Sequence, residues 1–296
     1  MRKSLSERAL GLLLLTPAAL LLLLIVVYPI GQLVWNSFFD IHLAEPWKGE
    51  PFVGMENYRR AFEDERFWSS FAHTAIYAVI TVPGALLVGL GLALLANMPF
   101  RRKWPVRLGL LLPWALPLVF SGLIFRWFFE YKQGIVNDLL TRSGIEPLAW
   151  LTDPHLAIAA ICMAIVWKSS SFMALMLLAG LQTIPRELYE AAEVDGASRW
   201  QKFVSITLPM LRPAIFVALI FRTITAIQTF DIPYAMTGGG PGDATETLSM
   251  YIQKTTLDFL DFGYGSALAT LMFIISMIAT SGYLRYTRRT AGRGEG

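Results

Sequence analysis

Lys168 and Arg222 are the residues on which any chemistry in this sequence turns, because each lies about halfway along a long apolar segment. An ionisable side chain at the centre of a membrane span costs roughly 2.5–3.5 kcal/mol and generally faces a bundle interior or a cavity. Lys168 is followed by Ser169, Ser170, Ser171 and Phe172, and in the next apolar segment Arg222, Thr225, Gln228 and Thr229 fall on one helical arc of about 120°. Hydroxyls, an amide and an aromatic face are what a sugar binds. Two basic groups without a carboxylate on the arc also suit an anionic solute. A rival reading has Lys168 and Arg222 bonding carbonyls or carboxylates of a neighbouring subunit. Asp231 falls on the side of the helix opposite Arg222, so the two form no obvious pair.

Bond-making chemistry finds no support. There is no nucleophile with an acid–base partner inside the apolar segments. The single cysteine, Cys162, lies in an apolar run, and His42, His73 and His155 are scattered without a second ligand at metal spacing. No G-x-x-x-x-G-K-[ST] phosphate loop occurs. "GGGPGDAT" at 238–245 imitates one, but lacks the lysine and a following soluble helix, which leaves a plain external loop or a docking loop for a receptor.

The elements that must hold these groups are membrane helices. The chain has 296 residues, 55% of them hydrophobic and 16% charged, with a mean hydropathy of +0.50; an ordinary soluble domain is about 25% charged. Six segments reach the roughly 20 apolar residues that a span needs: 10–30, 71–96, 108–129, 156–181, 213–236 and 265–283. The first follows Arg2, Lys3 and Arg8, but is longer than a signal-peptide core and reads as a retained anchor. Alternate connecting segments carry fifteen basic residues against six acidic, and the others seven against fifteen. The positive-inside rule then puts both termini in the cytoplasm. The net charge of +3 is neither clustered nor placed on a soluble domain, which argues against nucleic acid. In the external segment before the second span, "ENYRRAFEDERFW" offers Tyr58, Phe62 and Trp68 as interfacial aromatics. The external parts are too small to capture a solute, so any receptor is another chain. Pro83, Pro113 and Pro117 permit kinks, either static or hinge-like.

One internal connection differs from a simple link. In 182–212, Pro185 suits a first helical position, "RELYEAAEV" forms a helix, Asp195-Gly196 makes a turn, and "ASRWQKFVSI" gives a second short helix ending at Leu208-Pro209. Leu188, Ala191 and Ala192 share one face of the first helix, with Glu187, Glu190 and Glu193 on the other. Helices that lie on membranes carry the reverse chemistry, basic residues opposite bulky ones. An alanine face permits close approach and a carboxylate row permits charge pairing, which is the shape of a docking knob.

"EAAEVDGA" followed by "ITLP" resembles the EAA loop of permease subunits in binding-protein-dependent ABC importers, with Glu190, Ala191, Ala192, Asp195, Gly196, Ile206, Leu208 and Pro209 on the pattern. "FDIPYAMTGGGPGDATETLSMYI" and "DFGYGSALA" are similar to the carbohydrate subgroup, which includes permeases for oligosaccharides and glycerol phosphate. The resemblance implies an all-α type I importer permease of six spans, a single transmembrane domain in the bacterial inner membrane. It implies that the loop sits in a cleft of the ATPase, Glu190 against basic groups, with Gly196 at the bend. It further implies a second, different permease as partner, two copies of a cytoplasmic ATPase that bind ATP and Mg²⁺, and a periplasmic or lipid-anchored binding protein, with no cofactor on this chain. The solute is a sugar or sugar derivative, or alternatively an anionic or polyol solute such as glycerol phosphate. A self-contained secondary transporter would leave the acidic knob unexplained and would be expected to show paired repeats, which are not seen.

Overall fold

A computed structural model describes residues 7–99, 102 and 104–291. Of the basic residues that set the expected orientation, Arg2, Lys3, Arg101, Lys103 and Arg293 lie outside the described residues. Among the described residues the regular structure is helical, with two isolated antiparallel bridges, Phe39 to Phe52 and His42 to Asp261. The helices are α1 (Glu7–Leu22), α2 (Tyr28–Asn36), α3 (Glu56–Glu63), α4 (Glu65–Asn97), α5 (Trp104–Ala115), α6 (Leu118–Phe128) and α7 (Ile135–Arg142). They continue with α8 (Pro154–Gln182), α9 (Arg186–Val194), α10 (Arg199–Lys202), α11 (Leu208–Ile227), α12 (Asp231–Thr237), α13 (Leu248–Gln253) and α14 (Phe262–Ala291). Five described helical stretches are long and apolar enough to cross a membrane, and α5 with α6, bent by 95°, makes a sixth.

The second span starts at Glu65, earlier than the 71 read in the sequence, and the fifth ends at Ile227, short of 236; three further differences trace to proline. The first span runs on to Asn36 past Pro29, and the fifth begins at Arg199 and passes Pro209. In both, a π-turn directly precedes the proline: Leu23–Val27 closes with the Tyr28 N–H on the Leu23 carbonyl, and Phe203–Thr207 with the Leu208 N–H on the Phe203 carbonyl. The wider turn lets a residue that lacks an N–H enter a continuous helix. Leu208-Pro209 therefore does not end the second loop helix; it lies inside the fifth span. The third span breaks instead of bending, because Pro117 is extended (φ −57°, ψ 145°) and the residue before a proline avoids the α conformation.

Two compact units make up the chain. One combines the described part of Met1–Glu65 with Ile252–Phe273. Its polar side chains stitch the segment between the first two spans together. Asn57 Nδ2 donates to the carbonyls of Ser37 and Phe39 at 2.9 and 3.0 Å, and Arg60 pairs with Asp261 at 2.8 Å while lying 4.0 Å from the centre of the Tyr264 ring. Tyr58, expected at the membrane interface, is buried and its hydroxyl meets Ser37 Oγ at 2.6 Å; Phe62 and Trp68 are exposed.

The other unit combines Arg66–Tyr251 with the described part of Ile274–Gly296. Its axis is α8, which presents small residues (Ala157, Ala160, Ala164, Ala174) among Ile161, Ile165, Leu177 and Leu181, all buried. Without a hydrophobic force between helices in lipid, close backbone packing has to supply the attraction. Gly89 of α4 is one such point: a Cβ there would lie 2.6 Å from Met173 Cβ and 3.0 Å from the Ser170 carbonyl oxygen. Gly91, two residues on, meets nothing within 4 Å outside its own helix among the described residues. Gly89→Val should therefore lower the melting temperature of the purified protein, by overpacking worth about 1–3 kcal/mol. Gly91→Val should leave it nearly unchanged; equal effects would show that this contact is not tight.

Candidate functional site

The break in the third span frees backbone carbonyls that no helical N–H satisfies. Pro117 has no N–H to give the Pro113 carbonyl, and the chain departs from the helix at Leu116. Lys168, from the middle of α8, takes up the loss. Its Nζ donates to the carbonyls of Pro113, Trp114 and Leu116 at 2.6, 2.8 and 2.6 Å. An ammonium has three N–H donors and all three are used. The Ser171 hydroxyl similarly donates to the Leu110 carbonyl. The acceptors imagined for Lys168 on a neighbouring subunit are thus found within its own chain.

Arg222 lies on α11 and is 5% exposed. Its Nη2 donates to Thr81 Oγ1 at 2.6 Å and its Nη1 to Thr225 Oγ1 at 3.2 Å, while Nε is buried with no hydrogen-bond partner among the described residues. Among the described residues it has no carboxylate within ion-pair distance. The helix ends at Ile227, and after Phe230 leaves the helical conformation (φ −136°, ψ −61°) Asp231 opens α12. Asp231 is therefore not on the far side of Arg222's helix, as a continuous span would have it.

These elements border a cleft of about 710 Å³, lined by Trp114, Leu116, Pro117, Lys168, Ser169, Phe172, Phe221, Arg222, Thr225, Gln228, Thr229, Phe230 and Asp231 among others. Such a volume is in the range of small-molecule pockets. Seven of the eight residues expected along a solute path meet here. Ser171 does not; it borders an apolar groove with Val166 and Cys162. Asp231, Phe221 and Phe230 complete the cleft; Phe221 lies on the same helical arc as Arg222 and Thr225 and was legible there, whereas Asp231 and Phe230 lie beyond the end of α11.

On the other expected site, α9 follows Pro185, which stands just before the helix and not at its first position. Gly196 has φ +75°, and the Ala197 N–H reaches the Ala192 carbonyl at 2.8 Å, the six-residue closure of a Schellman turn. Ser198 and Gln201 then form a capping box for α10. Two side-chain contacts pin α9 to the base of the fifth span: Tyr189 OH with Thr207 Oγ1 at 2.9 Å, and Lys202 Nζ with Glu193 Oε1 at 2.6 Å. The ammonium holds the Glu193 carboxyl below its usual range. Glu193 is thus engaged at home, leaving Glu187 and Glu190 exposed with Ala191, Val194 and Trp200. Ala192, Ile206, Leu208 and Pro209 are half-buried, and Ile206 packs with Tyr189 on the cluster of Ala93, Leu177, Leu181 and Leu211.

The loop at 238–245 is not loosely held. It runs into Glu246, which is fully buried and gripped by Arg66 through Nε at 2.7 Å and Nη2 at 2.9 Å. The Leu248 N–H rests on Thr74 Oγ1 at 2.9 Å, and His73 Nδ1 lies 3.1 Å from the Glu246 carbonyl oxygen. A pair 180 residues apart leaves no local signature, so neither residue stood out in the sequence.

Residues 85–292 match the family described as the binding-protein-dependent transport system inner membrane component. The chain belongs to that family. The permease is 61% identical over 284 residues, 96% of its own length and 92% of the relative's, to the sulfoquinovosyl glycerol transport system permease protein SmoG of Agrobacterium fabrum. It is 39% identical to the trehalose/maltose transport system permease protein MalF of Thermococcus litoralis, over 95% of each chain. Its fold matches a chain of a bacterial alginate ABC transporter crystallised with an alginate pentasaccharide-bound periplasmic protein, with a TM-score of 0.82, covering 95% of the permease and 94% of that chain at 22% identity. The permease thus has the fold of ABC importer membrane subunits.

Removing the Lys168 ammonium would leave three carbonyls without their donor. Lys168→Met should destabilise the permease by about 3 kcal/mol or more, seen as lower yield and melting temperature in detergent, with Lys168→Arg recovering part of the loss. A Lys168→Met protein as stable as the parent would show that the break needs no cation.

Proposed function

We propose that the permease is one of two different membrane subunits of an ATP-driven importer that takes a sugar or sugar derivative from a periplasmic or lipid-anchored binding protein and releases it into the cytoplasm. The relatives named above support the solute class, since their names specify sulfoquinovosyl glycerol and trehalose or maltose. In this reading the protein sits in the bacterial inner membrane with both termini and the α9–α10 loop in the cytoplasm. Two copies of an ATPase bind ATP and Mg²⁺ below it, and this chain carries no cofactor and catalyses no reaction.

The observation that carries the proposal is the exposed surface of α9, where Glu187 and Glu190, with no ion-pair partner among the described residues, stand beside an alanine and Val194 on a helix anchored to the fifth span by Tyr189 and Lys202. Glu190 pairs with basic groups of the ATPase, Ala191 and Ala192 allow close packing, and Asp195-Gly196 set the bend. Ile206, Leu208 and Pro209 carry movement into the span. Closure of the ATPase dimer displaces the loop, and the solute passes along Lys168, Ser169, Phe172, Arg222, Thr225, Gln228 and Thr229 at the face shared with the second permease. Linkage then requires that docking of the loaded binding protein favour the closed ATPase dimer.

Copurification measures the docking directly. Glu190→Lys and Gly196→Pro should each cut the ATPase recovered with the permease about tenfold or more, the first by charge reversal and the second because proline cannot adopt φ +75°. Full recovery with both variants would place the ATPase contact elsewhere.

A further inference from the structure

The cleft contains a charge imbalance that a neutral solute leaves unanswered. Arg222 has five N–H donors, of which two are accounted for by Thr81 and Thr225, and its Nε is buried without a partner among the described residues. Lys168 borders the same cleft, but its three donors are spent on carbonyls. Asp231 also borders it and pairs with neither cation among the described residues. The lining therefore holds two cations and one carboxylate, and one of the cations keeps unused directional donors.

We infer that the cleft is built for an acidic sugar, one carrying a single oxyanion such as a sulfonate or carboxylate, and that Arg222 is the residue that reads the anion. The inference rests on the sugar-importer reading and narrows its solute class. A guanidinium presents its donors as a fork that matches a planar or tetrahedral oxyanion through two parallel hydrogen bonds, which hydroxyls cannot equal. The fork opens if Arg222 swings away from Thr225, the longer of its two contacts; that hydroxyl already donates to the Arg222 carbonyl at 2.9 Å and loses nothing essential. The rest of the lining fits the remainder of such a molecule. Phe172, Phe221 and Trp114 offer faces for a pyranose ring, and Gln228, Thr229 and the Asp231 carboxylate offer partners for its hydroxyls. Because Asp231 repels an anion, the charged group is directed toward Arg222 and the hydroxyls toward α12, which orients the solute.

The test uses the complete complex of both permeases and the ATPase in lipid nanodiscs, without the binding protein, so that its selectivity plays no part. Equilibrium binding is measured with three radiolabelled probes: methyl glucoside, its 6-deoxy-6-sulfo analogue and methyl glucuronide. The two acidic probes should bind about tenfold or more tighter than the neutral one, and the better of them identifies the oxyanion. Arg222→Gln should bring acidic and neutral probes within about twofold of each other, while Arg222→Lys keeps part of the preference. The preference is a ratio within one preparation, so a loss of folded protein does not imitate it. If the Gln variant does not assemble, the wild-type ratio and the Lys variant decide. Equal wild-type binding of all three probes, or an Arg222→Gln complex that keeps the preference, overturns the inference and leaves a sugar importer standing. Failure of all three to bind overturns the inference, and the sugar-importer reading falls with it only if no sugar-loaded binding protein stimulates the ATPase of the complex.

Discussion

The grip of Lys168 on three carbonyls is the constraint on which the rest of the membrane unit depends. In hydrocarbon every backbone polar group needs a partner, and a span may break only where something replaces the lost helical bonds. Here the replacement is an ammonium, which also suits the negative end of the α5 dipole. The carbonyls in turn supply the bonds without which a cation so deep would be too costly. Break and cation therefore require each other. The 95° turn that follows places Trp114, Leu116, Pro117 and Leu118 along one side of the cleft.

The opposite side belongs to the fifth span, and this joins the cleft to the loop. From Leu208 to Ile227, α11 covers about 30 Å. At one end Arg222 and Thr225 border the cleft. At the other, the Tyr189–Thr207 and Lys202–Glu193 contacts fasten α9 to the helix. A capping box and a π-turn keep the intervening chain helical, so no slack segment separates α9's anchor from the cleft wall. A push on α9 is then a push on α11.

Periodicity and charge made the membrane helices and the α9–α10 loop legible, since both are local properties of the chain. The ends of the helices were not. Pro29 and Pro209 look like stops, but π-turns carry them, and a π-turn has no sequence mark of its own. Pro117 looks like one kink among several, yet it breaks its span, because Lys168, fifty-five positions from Pro113 in sequence, is there to satisfy the result. Lys168 and Arg222 were identifiable as important by their cost alone. Their partners were not, because Thr81 is 141 positions from Arg222 and no helical wheel reaches it. Asp231 was placed on the wrong side by extending α11 through Phe230. Glu193 looked like one of three docking carboxylates until its ion pair with Lys202 was seen.

The central claim is that α9 and α11 move as one piece and change the width of the cleft. Spin labels at Val194→Cys and Thr229→Cys, and in a second sample at Leu118→Cys and Thr229→Cys, report these two distances in the assembled transporter by pulsed electron resonance. On trapping the ATPase with nucleotide, the first distance should stay constant to about 2 Å while the second shifts by more than that. A first distance that changes while the second stays fixed would mean that the loop bends without moving the wall, and would contradict the account.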